Sequence, residues 1–168
     1  MPLSPIEFEQ VALCHSRSLL RVARRLTSNT DSAEDLVQDC LLLAWKNFHQ
    51  FRSGTNARAW LFRILFNSFY AAGRRARRAS DAVALTPATL THSYDFDEAM
   101  DVARALDTLN LDHRTVLLLG VVEGFTCAEM SEILSVPVGT VMSRLGRARH
   151  AMRARLIAPS HLTAKESR

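Results

Sequence analysis

The chain has 168 residues, 48% of them apolar, with only six glycines and five prolines and no long run of strand-forming residues. That composition supports one helical domain or two small ones, and it leaves no stretch apolar enough to span a bilayer. The net charge of +4 is unevenly placed: residues 1–80 carry 12 Lys/Arg against 6 Asp/Glu, residues 81–97 carry three acids and no base, and residues 98–168 carry 9 against 8, so a polyanion would favour the first half.

The predicted elements begin with Ser4-Pro5-Ile6-Glu7. Serine can cap, proline suits the first helical position, and Glu7 completes a capping box. Phe8, Ala12, His15, Leu19, Val22 and Leu26 then step by threes and fours, the stripe of a single long helix. His15 lies on that stripe and reads as an interior or interface histidine, since no second ligand accompanies it. After a turn at Thr27–Thr30, Asp31-Ser32-Ala33-Glu34 reads as a second capping box, opening a helix that runs to Lys46. Ala33, Val37, Cys40 and Ala44 form its inward side. Asp35, Gln38, Asp39 and Leu42 share another side, acidic and partly apolar on an otherwise basic half. Spacing alone leaves both a solvated face and a protein-docking face open there.

Phe51 to Asn56 reads as a loop, with Gly54 able to take a positive φ. It leads into the stretch from Trp60 to Arg78, WLFRILFNSFYAAGRRARR. As a helix this has two faces. Leu61, Ile64, Leu65, Ser68 and Ala72 recur inward, whereas Trp60, Arg63, Asn67, Tyr70 and Arg74 fall on another side. Rings stack on bases, amides read base edges and cations hold phosphates, so this second side suits unstacked nucleic acid. A core helix with a solvated basic end is the plainer reading of the same residues.

Residues 79–97 hold no Lys or Arg and many Ala, Ser and Thr, the composition of a linker. The second lobe starts near Phe96, where Phe96, Ala99, Met100, Ala103 and Leu106 make a helical stripe. Asp112 is placed to cap a helix from His113 to Glu123, which Gly124 ends. Thr126-Cys127-Ala128-Glu129 is a third capping box, starting a short helix to Leu134. A turn at Ser135-Val136 and Pro137 then lead into a last helix to Leu156. Short helix, tight turn and longer helix is the helix-turn-helix pattern. Val141, Leu145, Ala148 and Met152 would face the core. Thr140, Ser143, Arg144 and Arg147 would face a major groove, with Arg149, Arg153 and Arg155 extending the positive surface.

Cys14, Cys40 and Cys127 show no CxxC or zinc spacing and read as buried free thiols of a reducing cytoplasm. The N-terminus has no cationic start followed by an apolar run. No nucleophile–base pair, metal cluster or phosphate-cradling glycine loop is visible. The expectation is therefore a non-enzymatic cytoplasmic protein with no cofactor, no metal and no membrane insertion.

In this order the segments resemble the extracytoplasmic-function group of bacterial sigma factors, group four of the sigma-70 family. AEDLVQDCLLLAW, residues 33–45, is similar to that family's region 2.2, and residues 51–70 to regions 2.3 and 2.4. Residues 109–134 followed by 137–156 are similar to region 4. The resemblance implies an all-α protein of two small helical domains: region 2 over 1–78, a flexible linker over 79–97, and region 4 over 98–168. It implies an alternative sigma factor that binds core RNA polymerase through the clamp helices and the flap and directs promoter-specific initiation. Carried over by position, Asp35, Gln38 and Asp39 would contact the polymerase clamp. The loop of Arg52, Ser53, Gly54, Thr55 and Asn56 would hold a flipped-out base of the −10 element. Trp60, Arg63 and Asn67 would line the single-stranded path, and Thr140, Ser143, Arg144, Arg147 and Arg149 would meet the −35 duplex.

GTNARAWLF followed by ILFNSFY particularly resembles the alphaproteobacterial general-stress subgroup. Its sigma factors are held by a small anti-sigma protein, which implies such a partner here. Two positions depart from the family. Met142 stands where Lys or Arg is usual, and Gly146 where a larger residue is usual, which bears on −35 preference. A helix-turn-helix protein of another class, a transposition or recombination protein or a non-sigma regulator, is the competing reading; a transposition or recombination protein would have no need of the 33–45 docking face.

Overall fold

The computed structural model describes residues 5–27, 29–52, 54–80 and 97–157. Among these the regular elements are all helical, so the chain is all-α as its composition implies. The first lobe holds α1 (Pro5–Ala12), α2 (Ser16–Leu26), α3 (Thr30–Lys46) and α4 (Ala57–Ser80). The second holds α5 (Asp97–Asp107), α6 (Leu111–Leu117), α7 (Cys127–Leu134) and α8 (Val138–Ile157). Helix α4 runs through Ser80 and α5 begins at Asp97, so both reach into the stretch read as linker; residues 81–96 lie outside the described residues.

The single first helix expected from the sequence is two, broken by a 3-10 turn at Leu13–His15. The apolar stripe survives the break. Three residues at 120° rather than 100° advance the helix by only about 60°, so Phe8, Ala12, Leu19, Val22 and Leu26 are all buried. The predicted cap at Ser4 lies outside the described residues. Helix α3 starts earlier than predicted. Its cap is Asn29, whose side chain accepts from the Ser32 N–H at 2.7 Å, and the Asp31–Glu34 box is not the one used. The inward set Ala33, Val37, Cys40 and Ala44 is buried as expected. Of the three cysteines expected inside, Cys40 is buried, Cys127 is half-buried and Cys14 is exposed. Cys40 donates its thiol toward the Leu61 carbonyl at 3.5 Å, and burial pushes that thiol's pKa up to about 12.

In the second lobe Asn110, not Asp112, caps α6, accepting from the His113 N–H at 2.9 Å. The helix predicted to reach Glu123 changes character at Leu118, where a π-helical turn runs to Val122. Gly124, at φ +71°, then reverses the chain. The Thr126 box is present in full: Thr126 accepts from the Glu129 N–H, and Glu129 accepts from the Thr126 N–H. Ser135 takes the left-handed conformation at φ +54° in the turn. Ser131 secures that turn by donating its hydroxyl to the Val136 carbonyl at 2.6 Å.

The two lobes share one continuous core. Phe62 and Phe66 of α4, fully buried, do most to fill the first lobe, and Val116, Leu119, Met130, Ile133 and Val141 fill the second. Burying a ring of this size contributes about 1.5–3 kcal/mol. The cores meet where Phe62 packs edge-on against Phe125, with ring centroids 5.2 Å apart. Arg114 braces the α5–α6 turn, its buried guanidinium donating to the carbonyls of Leu106, Asp107 and Leu109.

Candidate nucleic-acid and polymerase interface

Helix α3 presents Asp35, Gln38 and Asp39 on one exposed side, with Leu42 and Leu43 also exposed. Beside them, α3 and α4 enclose an open groove of about 980 Å³. Asp35, Asp39 and Leu42 form one wall, and Asn67, Ala71 and Arg75 form the other. Residues the sequence placed in two separate roles, Asp35 and Asp39 for docking and Asn67 for bases, therefore line one groove. Ala72, expected inside, is exposed at its edge.

The loop before α4 is held from several directions. Thr55 donates its N–H and its hydroxyl to the Arg52 carbonyl, at 3.2 and 2.7 Å, and Gly54 sits at φ +84°. Asn56 caps α4 through its side-chain oxygen, which accepts from the Ala59 N–H at 2.9 Å. Ser53 lies outside the described residues. Trp60 is half-buried, 5.1 Å from Phe51, which stacks on Phe48 at 5.9 Å. Phe48 in turn meets Phe8 edge-on. This chain of rings fixes one edge of Trp60 and leaves the rest accessible. Arg63 and Asn67 follow at helical spacing and are exposed. Tyr70 departs from them. It turns toward the second lobe, near Thr115 and the Asp112–Arg144 pair, and burial raises its phenol pKa.

On α8, Val141, Leu145 and Ala148 are buried and Met152 is half-buried, so the predicted inward stripe is the observed one. Ser143, Arg147 and Arg149 are exposed and Thr140 is half-buried. Ser143 donates to the Thr140 carbonyl at 3.0 Å. Arg144 stands apart, bridging Asp112 of α6 at 2.7 Å. Arg147 and Arg149 make no ion pair among the described residues. Met142 is well exposed beside them, and a side chain at Gly146 would meet open space.

Several polar contacts between residues far apart in the chain were not foreseen from the sequence. Glu123, with a fully buried side chain, accepts from Arg21 of α2 at 2.8–2.9 Å and pairs with Arg58 of α4. Arg58 also donates to the Glu123 carbonyl at 2.6 Å and lies 4.4 Å from the Phe125 ring centroid. Glu129 accepts from the Asn56 amide at 2.7 Å. The Thr126 N–H and hydroxyl, with that amide, hold the Glu129 carboxyl below its usual range. Burial, with Arg58 nearby, lowers the pKa of His15. No periodic signal announces contacts between residues 65 to 102 positions apart.

Comparison with known proteins agrees with this geometry. The sigma-70 region 2 family matches residues 12–79, and the sigma-70 region 4 family matches residues 99–152. The chain is 39% identical over 146 residues to the ECF RNA polymerase sigma factor EcfG of Rhodopseudomonas palustris, covering 83% of this chain and 79% of that one. It is 32% identical to the ECF RNA polymerase sigma factor SigM of Mycobacterium tuberculosis, over 89% of this chain and 76% of that one. Among solved structures it superposes on the sigma factor RpoE of Bartonella quintana, which was solved with the anti-sigma factor NepR. That match has a TM-score of 0.80 and 34% identity, covering 89% and 96% of the two chains. CnrH, solved with the cytosolic domain of CnrY, matches with a TM-score of 0.70 and 30% identity, over 94% and 92%.

Proposed function

The chain belongs to the extracytoplasmic-function sigma factors of the sigma-70 family, alternative sigma factors that direct transcription initiation, and from that premise we propose how its surfaces divide the work. The first lobe, residues 1–78, docks on the polymerase clamp through Asp35, Gln38 and Asp39 and opens the −10 element. The second, residues 98–168, docks on the flap and reads the −35 duplex through Thr140, Ser143, Arg147 and Arg149. Arg144 joins them once it leaves Asp112. Residues 79–97 connect the two. The loop of Arg52 to Asn56 takes one flipped base, and Trp60, Arg63 and Asn67 follow the unpaired strand.

The observation that carries this division is the groove between α3 and α4, which sets Asn67 within one surface with Asp35 and Asp39. A strand opened there is held beside the polymerase itself. No catalytic step is assigned to the chain. Unstacking a base costs a few kcal/mol, and a ring that stacks on the freed base returns about 1–3 kcal/mol, so binding can drive the opening. Site of action and regulation follow from the same reading: the cytoplasm, where polymerase works, and an anti-sigma partner like those solved with the related sigma factors. The general-stress subgroup is the best fit, supported by the identity to EcfG. A transposition or recombination protein is not favoured, because region 2 is matched as well as region 4.

Co-purification with core polymerase followed by promoter-dependent run-off transcription tests the whole reading. Asn67→Ala is expected to reduce open-complex formation more than polymerase binding. Equal loss of both would remove Asn67 from the strand path.

A further inference from the structure

The exposed side of α8 is not uniformly basic. Met142, in the second turn of the helix, is 59% exposed, and Val138, one turn before it, is 41% exposed. Gly139 stands three positions before Met142 and Gly146 four after it, the neighbouring places on a helical surface. A Cβ built on either glycine meets nothing within 4 Å. Met142 thus rises from bare backbone on both sides along the helix. A long helical side chain leans back over the residues three and four places before it, here Gly139 and Val138, which gathers the apolar surface into the first two turns. Polar and cationic side chains border this strip, Ser143 and Arg147 on one flank and Arg149 on the other, all exposed.

An exposed methionine is ordinary by itself; its place on α8 is not. Burial of Val141, Leu145 and Ala148 fixes the rotation of the helix, and Met142, about 100° round from Val141, is kept off that core. In a helix-turn-helix the first turns of the second helix enter the major groove. Base edges there present donors, acceptors and one kind of apolar group, the 5-methyl of thymine. The thioether of Met142 has no N–H to give to guanine O6 or N7. It is soft and flexible, and it fills irregular gaps against apolar groups. Glycines on either side let the backbone come close to the groove floor. Arg147 and Arg149, which make no ion pair among the described residues, can take the phosphates that hold the helix in register.

We propose that Met142, with Val138 beside it, reads a thymine 5-methyl group in the −35 element, so that one position of that element is chosen as T·A by apolar contact. The proposal rests on the functional reading above and names the base chemistry its second lobe recognises. Met142 is then a specificity residue. It leaves polymerase docking untouched, and it selects by removing its own exposed apolar surface, and that of the methyl, from water. A cytosine at the same place offers no methyl, and a guanine there would leave its O6 and N7 acceptors facing a side chain that cannot donate to them.

Deoxyuridine scanning tests this, because deoxyuridine differs from thymidine by the 5-methyl alone. The probe is a promoter duplex selected, from a library randomised over the −35 element, by the full chain bound to core polymerase. Each thymine of the selected element, on either strand, is then replaced by deoxyuridine in turn. One replacement is expected to weaken binding of the wild-type holoenzyme about fourfold, the worth of one buried methyl. Met142→Ala should bind the thymine duplex more weakly and show no further loss at that position. Met142 is exposed, so the substitution leaves the core of the lobe intact. In a second selection, Met142→Arg is expected to change the same base pair from T·A to G·C, since a guanidinium can donate to both guanine acceptors. A selected element without thymine, or replacements that all leave wild-type affinity unchanged, overturns the proposal and leaves the functional reading standing. A methyl effect that persists in Met142→Ala overturns it equally, by assigning the methyl to another group. A holoenzyme that selects no sequence at −35 sinks the functional reading of the second lobe and this proposal together.

Discussion

Helices α4 and α8 both carry the basic and polar side chains that we propose for nucleic acid, but they are prepared in opposite ways. On α4 the proposed reading group Trp60 is held by a run of rings from Phe8 through Phe48 and Phe51, and the preceding loop is closed by its own hydrogen bonds. On α8, Arg147 and Arg149 extend into solvent from a bare helical surface. The difference fits the two substrates. An unpaired base is flexible, so the protein must supply the rigid surface and the ring must already be in place. A duplex is rigid already, so long cations can adjust to its phosphates and base edges.

The comparison can be broken most forcefully at the core of α4. Phe66→Ala removes a fully buried ring and is expected to destabilise the fold by about 3–5 kcal/mol in urea unfolding. If α4 owes its rigidity to that core, strand capture is lost along with it. Trp60→Ala should lower open-complex stability by about 1–3 kcal/mol, the contribution of one stacked base. Trp60→Phe, which retains a ring, should recover most of that loss. A full recovery by Trp60→Leu would show that the ring only packs on Phe51. On α8, Arg147→Ala and Arg149→Ala should each leave core binding intact and weaken −35-dependent initiation. Each should also reduce the slope of duplex affinity against salt by about 1; an unchanged slope would move that residue off the DNA. The smallest effect is expected at Gly146. A side chain there meets nothing, so Gly146→Ala should raise stability by no more than about 1 kcal/mol in thermal unfolding.

Local patterns were readable wherever the residues involved are close in sequence. The Thr126–Glu129 box, the inward faces of α3 and α8, and the turn at Ser135 follow from spacing and side-chain chemistry. Where two short-range signals competed, the reading slipped. Asn29 and Asn110 take the caps because their side-chain oxygens reach the Ser32 and His113 N–H groups. Asp31 and Asp112, two residues later, already lie within the first turns. Phe62 and Phe66 were missed as core because a helix clamped between two lobes buries more than one stripe. Arg144 looked outward on the helical wheel, yet Asp112 on α6 draws it aside. The segment before α4 was legible as a loop with Gly54 at positive φ, but not that Asn56 caps α4.

By itself the sequence determined the all-helical class, the order of two lobes, the helix-turn-helix and the family, because each rests on contacts within a few turns or on whole motifs. Only the tertiary structure decided that the lobes close on one another. That closure is made by Glu123 reaching Arg58 and Arg21, 65 and 102 positions away, and by Phe125 against Phe62. A buried carboxylate is acceptable only where cations meet it, and which cations do so is settled by the packing of helices and not by any period in the chain.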